Sequence, residues 1–232
     1  MTKSSPQEYD AWYDTPLGSL CDRLEKEAVF ALFGDRFKIC PQLVLDVGCG
    51  TGNYTLELAR QGVKSIGIDS SFDMAAFAKR KAEKEDLKSN FVVGRAEAMP
   101  FKGNIFDGVF GITSLCFISN QELAVAEMRR TLKPGGDVVL GELNRLSYWA
   151  LLRMIKSLFK KSSYRGARFS SLETLKRLLQ KVGFTDSKWS SCLYFPPVNS
   201  SWILKQYRFF ERIGKIIFPK GGAFVVVIGV KL

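Results

Sequence analysis

Three glycines at alternate positions, Gly48, Gly50 and Gly52, follow the apolar run LVLDV in the segment LVLDVGCGTGNYT, residues 43–55. Glycine is required where φ is positive or where a ligand approaches the backbone too closely for a Cβ. A strand that turns this tightly into a helix aims free N–H groups and a helix dipole at one point, a place suited to an anionic or polar group. It is also the carboxyl edge of the sheet, where open α/β folds bind ligands. A dinucleotide fingerprint requires its third glycine at position 53, which is Asn53, so the spacing argues against a nicotinamide or flavin cofactor.

Two carboxylates narrow the chemistry. Asp69 ends the segment SIGID, 21 residues after Gly48, where a carboxylate can accept hydrogen bonds from both ribose hydroxyls. Asp46 interrupts an apolar strand just ahead of the glycines, and a carboxylate there needs a partner, which a ligand ammonium would supply. Ribose, amine and no room for a pyrophosphate together describe S-adenosylmethionine. The bland alternative is a glycine-rich turn flanked by two helix-capping aspartates. The chain has no histidine, which removes the commonest general base and metal ligand. Its five cysteines, Cys21, Cys40, Cys49, Cys116 and Cys192, never form a CxxC, so neither a zinc site nor a disulfide framework is suggested and no metal is expected.

The elements that must position these residues read as an alternation of strands and helices. Helical spacing over 17–33, with Leu20, Leu24, Ala28 and Ala31 near one face, precedes LVLDV; further helices are expected at 54–61, 72–85, 121–132 and 172–182, and strands at SIGID, NFVVG, FDGVFGI and DVVLGEL. This is the pattern of a doubly wound α/β sheet. Lys133-Pro134-Gly135-Gly136 reads as the end of a helix. The tail holds two more strand patterns, GFTDSKWSSCLYF and AFVVVIGVKL, with no helical pattern between them strong enough for a parallel crossover, so they are expected to pair antiparallel. With 232 residues, one domain is the default. The longest apolar run, residues 223–230, is too short to span a bilayer and the first residues lack a signal-peptide core, so a cytoplasmic protein is expected.

The segments VLDVGCGTG, GIDSS, VVGRAEAMPFKGNIFDGVF and MRRTLKPGGDVVLGELNR, in this order over residues 40–145, resemble the class I S-adenosylmethionine-dependent methyltransferases of the ubiquinone-biosynthesis type. The resemblance implies a mostly parallel, Rossmann-like seven-stranded sheet with a reversed last strand. It also implies roles: Asp46 and Gly48 at the methionine moiety, Gly50 on the nucleoside side, Asp69 with Ser70 at the ribose, Met74 on the adenine face, and the Ala96 N–H at an adenine nitrogen. Family members commonly carry an acid before that alanine; here it is Arg95, leaving Glu97, water or backbone to read the adenine amine. The expected layout is an N-terminal cover over 1–40, a cofactor-binding core over 41–145, a lid over 146–170, and a C-terminal helix with the antiparallel pair over 171–232.

Methyl transfer from a sulfonium is an in-line displacement that needs alignment more than a catalytic triad. The candidates for lining the acceptor site are Tyr9, Trp12 and Tyr13 ahead of the first long helix, Cys116 after the fourth strand, and Asn144 after the fifth, with Asn144 and Tyr13 the candidate catalytic groups. Charge adds a second theme. Residues 1–140 carry a net −2 and residues 141–232 a net +13. In SYWALLRMIKSLFKK, Arg153, Lys156, Ser157, Lys160 and Lys161 share one helical arc, while Leu151, Leu152, Met154, Ile155, Leu158 and Phe159 lie opposite, with Trp149 near the seam. Such a helix reads as a lid, as a contact with an anionic membrane surface, or as a plain cap with a solvated basic face. The expected activity is methyl transfer to a small, apolar or anionic acceptor by a monomer or weak homodimer. Transfer to RNA is a rival prompted by the basic half, disfavoured because the aromatics do not alternate with the cations as stacking platforms would. A nucleoside-binding protein without transfer is the other rival.

Overall fold

The computed structural model describes residues 5–34, 42–157 and 167–232. Two N-terminal helices, α1 (Pro6–Ala11) and α2 (Pro16–Phe33), lead into β1 (Leu43–Val47), α3 (Asn53–Arg60), β2 (Lys64–Asp69), α4 (Phe72–Lys84), β3 (Ser89–Val93) and β4 (Phe106–Ile112). There follow α5 (Gln121–Thr131), β5 (Leu132–Leu143), α6 (Tyr148–Ser157), α7 (Leu172–Val182), β6 (Phe184–Cys192), α8 (Ser201–Lys205), α9 (Tyr207–Ile217) and β7 (Phe224–Lys231).

The seven strands are ordered β3-β2-β1-β4-β5-β7-β6, with β7 antiparallel to both of its neighbours and the other pairings parallel. β1, β4 and β7 are apolar and buried nearly throughout, as strands covered on both faces must be. One core layer joins α2 to β1, β4 and β7 through Val29, Phe33, Val44, Phe110 and Phe224; the other joins α5 and α7 to the opposite face through Val125, Met128, Leu175 and Val227. The chain order reverses between β1 and β4, and the crevice above that point is where such sheets hold ligands. Capping sets the helix starts: the side chains of Ser71, Asn120 and Ser171 each accept from an N–H in the first turn of α4, α5 and α7.

Three expectations need correction. β5 begins at Leu132, so Lys133-Pro134-Gly135-Gly136 lies inside the strand as a register shift opposite Phe106–Gly108 instead of preceding it. The connection from β6 to β7 does contain helices, α8 and α9; an antiparallel return needs no crossover helix, and these stand beside the sheet end instead of spanning it. Finally, α6 does not divide into a buried apolar arc and a solvated basic one: Trp149 and Leu152 are half-buried, with Trp149 packed on the core. Leu151, Met154 and Ile155 of its apolar arc are exposed, while Arg153 is half-buried with its guanidinium 4.8 Å from the centre of the Phe169 ring. Leu158, Phe159, Lys160 and Lys161 lie outside the described residues.

Candidate functional site

The glycine turn is built as its sequence requires. Gly48, Gly50 and Gly52 all have positive φ. A Cβ on Gly48 would stand 2.4 Å from the Ser114 Cβ, so the loop after β4 presses directly on the turn. At Gly50 the nearest atom to such a Cβ would be Tyr9 Cε1 at 3.9 Å, which leaves the backbone open to a ligand under the Tyr9 ring. Tyr9 stands on α1, and the Lys81–Asp10 ion pair of 2.9 Å ties that helix to α4. Tyr9 and the α1–α4 ion pair thus bring α1 against the glycine turn.

Asp69 joins the turn to the end of β2. Its Oδ2 accepts from the Gly50 N–H at 2.9 Å and its Oδ1 from the Ser71 N–H at 2.8 Å. Both carboxylate oxygens keep a lone pair each for a ribose hydroxyl, with the geometry fixed in advance. Ser70 is exposed beside it and Met74 is half-buried on the first turn of α4. Ala96 is half-buried among the apolar residues under β3 and β4, and Glu97 is turned inward with an Arg95 guanidinium nitrogen 3.4 Å from its Oε1. Arg95 itself points to solvent.

Asp46 is buried, and its Oδ2 accepts from both the N–H and the hydroxyl of Thr55, at 3.1 and 2.7 Å. The partner that this carboxylate needs thus comes from α3, which it anchors to β1, and no ligand ammonium is required. Burial raises its pKa to about 6, and the Thr55 hydrogen bonds oppose the rise. Thr51 Oγ1, Tyr54 Oη and Ser114 Oγ are buried around the same turn without a hydrogen-bond partner among the described residues. Orphaned hydroxyls beside an open glycine backbone fit the polar amino-acid end of S-adenosylmethionine, while Asp69 fits its ribose.

The acceptor candidates divide. Asn144 is fully committed to the fold: its amide donates to the carbonyls of Lys220 and Gly222, at 2.8 and 2.9 Å, and its oxygen accepts from the Leu146 N–H. It staples the end of β5 to the approach of β7 and has no group left to orient an acceptor. Cys116 is buried, and desolvation together with the Glu142 carboxyl raises its thiol pKa, so it is an inert small side chain. Trp12 is exposed beside Tyr13. Tyr13 is half-buried, hydrogen-bonded to the Tyr9 hydroxyl at 3.2 Å, and burial raises its pKa well above the ordinary value, which keeps it a neutral phenol.

Other groups converge there that spacing alone did not single out. Glu25 of α2 has its pKa raised to about 8, first by burial and next by Asp22, against the pull of Lys26 and Arg153. Its charge is felt by Tyr13 and Tyr54, and the Arg153 charge by Cys116. Glu142, wholly buried at the end of β5, has its pKa raised by desolvation to about 7. Each carries a faint sequence signal. Glu25 falls at i+4 from Cys21 and i−4 from Val29, inside the apolar stripe of α2, and Glu142 interrupts the apolar run VVLGEL. A separate cleft of about 460 Å³, lined by residues including Arg23, Glu27, Cys192 and Tyr207, shares none of these groups.

Residues 45–140 match the family described as Methyltransferase domain. An uncharacterised protein of Mycobacterium tuberculosis is 34% identical over 189 residues, covering 82% of this chain, which in turn spans only 61% of that relative's length. The ubiquinone/menaquinone biosynthesis C-methyltransferase of Geobacter sulfurreducens is 32% identical over 169 residues, covering 62% of this chain and 65% of its own. Among solved structures, an S-adenosylmethionine-dependent methyltransferase of Thermotoga maritima, described as a possible histamine N-methyltransferase, superposes with a TM-score of 0.73 at 27% identity, covering 97% of this chain and 95% of that one. Strand order, glycine turn and sequence similarity agree: residues 45–140 form a methyltransferase domain, and the chain has the fold of the class I S-adenosylmethionine-dependent methyltransferases.

Proposed function

We propose that the chain transfers a methyl group to a small acceptor with an apolar body and an anionic or readily ionised group, held between α1–α2 and the carboxyl ends of β4 and β5. The supporting observation is the aromatic cover of Tyr9 and Tyr13 over the glycine turn, with the half-buried Arg153 cation opposing the rise that burial gives the pKa of the Glu25 carboxyl. When bound, S-adenosylmethionine supplies a methyl carbon made electrophilic by its sulfonium. Asp69 and the glycine turn hold the nucleoside end, and the aromatic cover of Tyr9 and Tyr13 excludes water. Arg153 favours the ionised acceptor. Glu25, with its pKa near 8, is largely protonated at neutral pH and so presents an O–H instead of a competing negative charge. Alignment then suffices, and no side chain needs to act as an essential base.

The test is a panel of small phenols and carboxylic acids, with formation of S-adenosylhomocysteine as the readout. KM for an anionic acceptor should rise as pH passes about 8 in the wild type and stay level in Glu25→Gln, because only the wild type gains a carboxylate there. Arg153→Met should raise that KM with little effect on cofactor affinity. A Glu25→Gln protein that binds the cofactor but turns over nothing at any pH would make Glu25 the base and overturn the alignment mechanism.

A further inference from the structure

The region between β6 and β7 carries a second apolar surface, on the outer side of its helices, beyond the Leu204, Tyr207 and Phe210 that pack on the core. At 100° per residue, Phe209, Ile213, Ile216 and Ile217 of α9 share one arc, and Arg208, Glu211 and Lys215 the other. An ordinary surface helix packs the apolar arc inward. Here a different side faces the body: Tyr207 and Phe210 pack on the core, Glu211 is buried and its Oε1 accepts from the Tyr194 N–H at 2.8 Å, and Gly214 lies so close to Tyr194 that a Cβ would meet the ring at 2.2 Å. The apolar arc faces out, with Phe209 62%, Ile216 70% and Ile217 75% exposed, and Trp202 of α8 adds a ring that is 69% exposed. α6 also exposes apolar side chains, with Met154 61% exposed. Contiguous exposed apolar surface of this kind marks an interaction site.

We infer that the outward face of α8 and α9 docks on an anionic lipid surface, with Trp202, Phe209, Ile216 and Ile217 entering the headgroup–acyl boundary. The charges flanking the arc select this occupant. Residues 201–220 contain Lys205, Arg208, Arg212, Lys215 and Lys220 against one acid, the buried Glu211. A second copy of the chain pairing through the same patch would set these cations against each other, whereas anionic headgroups neutralise them. Cationic stems beside an apolar arc also suit a helix lying in the plane of the interface. Both sets of helices leave the carboxyl edge of the sheet, α6 after β5 and α8–α9 after β6, and Trp149 of α6 donates to the Phe195 carbonyl just beyond β6. Docking therefore turns the cofactor-bearing edge, and not the helical flanks, toward the membrane. The inference stands apart from the acceptor proposed above.

Sedimentation with vesicles tests it. The wild type should co-sediment with vesicles of about 70% phosphatidylcholine and 30% phosphatidylglycerol, less so as salt rises, and not with pure phosphatidylcholine. Ile216→Asn with Ile217→Asn should weaken partition about 30-fold, as expected on withdrawing two aliphatic side chains from an apolar phase. Lys205→Gln with Arg212→Gln should weaken it about 25-fold, from about fivefold per cation. All of these positions are exposed, so far-ultraviolet circular dichroism and S-adenosylhomocysteine affinity should be unchanged, which separates loss of docking from loss of the fold or of the cofactor site. Indifference to vesicle charge, or vesicle binding that survives the isoleucine changes, overturns the inference. So does a wild-type dimer in sedimentation velocity that the isoleucine changes dissociate, since the face would then belong to a second copy.

Discussion

Replacing Glu142 by glutamine isolates the most completely buried carboxyl of the site. Its side chain is 0% exposed, its Oε1 accepts from the Cys116 N–H at 3.3 Å, and its Oε2 has no partner among the described residues. Desolvation raises its pKa from the ordinary 4.5 to about 7, opposed by hydrogen bonds from Cys116 and from the Leu115 and Ser114 amides. The folded chain therefore holds this proton more tightly than the unfolded chain does. The resulting stabilisation is present in full below about pH 4.5, drains away as the pH rises through about 7, and is gone above it. A pKa displaced that far corresponds to about 3 kcal/mol.

Glutamine keeps the shape and the Oε1 acceptor but does not titrate. Urea unfolding of both proteins at about pH 4.5 and about pH 9 should show a loss of stability larger in the wild type by about 3 kcal/mol. Asp46 and Glu25, also raised, titrate in the same direction and remain in both proteins, so they cancel in the difference. Losses equal within about 0.5 kcal/mol would refute the claim that Glu142 is buried as a protonated acid.

The other expectations test separate parts of the site. Asp69→Ala should lose about 1.5–3 kcal/mol of S-adenosylhomocysteine affinity by isothermal titration, since a charged acceptor toward the ribose disappears; unchanged affinity would remove Asp69 from that role. Asn144→Ala should lower unfolding stability by about 2–4 kcal/mol, because the Lys220, Gly222 and Leu146 backbone groups lose their partner, and a turnover defect in fully folded protein would contradict its structural assignment. Gly48→Ala combines a positive φ with a contact of 2.4 Å to Ser114 and should cost about 2–4 kcal/mol, read from the urea midpoint; a neutral substitution would show that the loop after β4 yields freely.

The frame of the glycine turn was legible in the sequence because its constraints are local. Gly48 and Gly50 must sit where φ is positive, Asp69 must end β2, and Ser71 must cap α4, and all these requirements act within a few residues of backbone. Asp46 shows where locality stops. A buried carboxylate demands a partner, but whether Thr55 or a ligand provides it depends on how α3 docks against β1. Asn144 makes the same point more strongly, since two of its partners lie at 220 and 222, too far along the chain for spacing to reveal. Glu25 and Arg153, 128 positions apart, influence each other's charge only through the fold.

Amphipathic pattern has a further limit that α6 and α9 expose. Periodicity fixes which residues share an arc, but it does not say which arc faces the body. The usual assignment assumes that the protein interior is the apolar phase at hand. At α9 the side toward the body is made by Tyr207 and Phe210 on the core and by Glu211 and Gly214 against Tyr194, which leaves Phe209, Ile213, Ile216 and Ile217 facing outward. An apolar arc left on the outer face is costly in water, and it is kept at low cost only where a second apolar phase meets it. With a net charge of +13 over residues 141–232, the phase that fits is one with an anionic boundary. On the inference drawn above, the outward arc of α9 is a surface to be completed by a lipid interface, and vesicle binding that survives Ile216→Asn with Ile217→Asn would leave that arc without its second apolar phase.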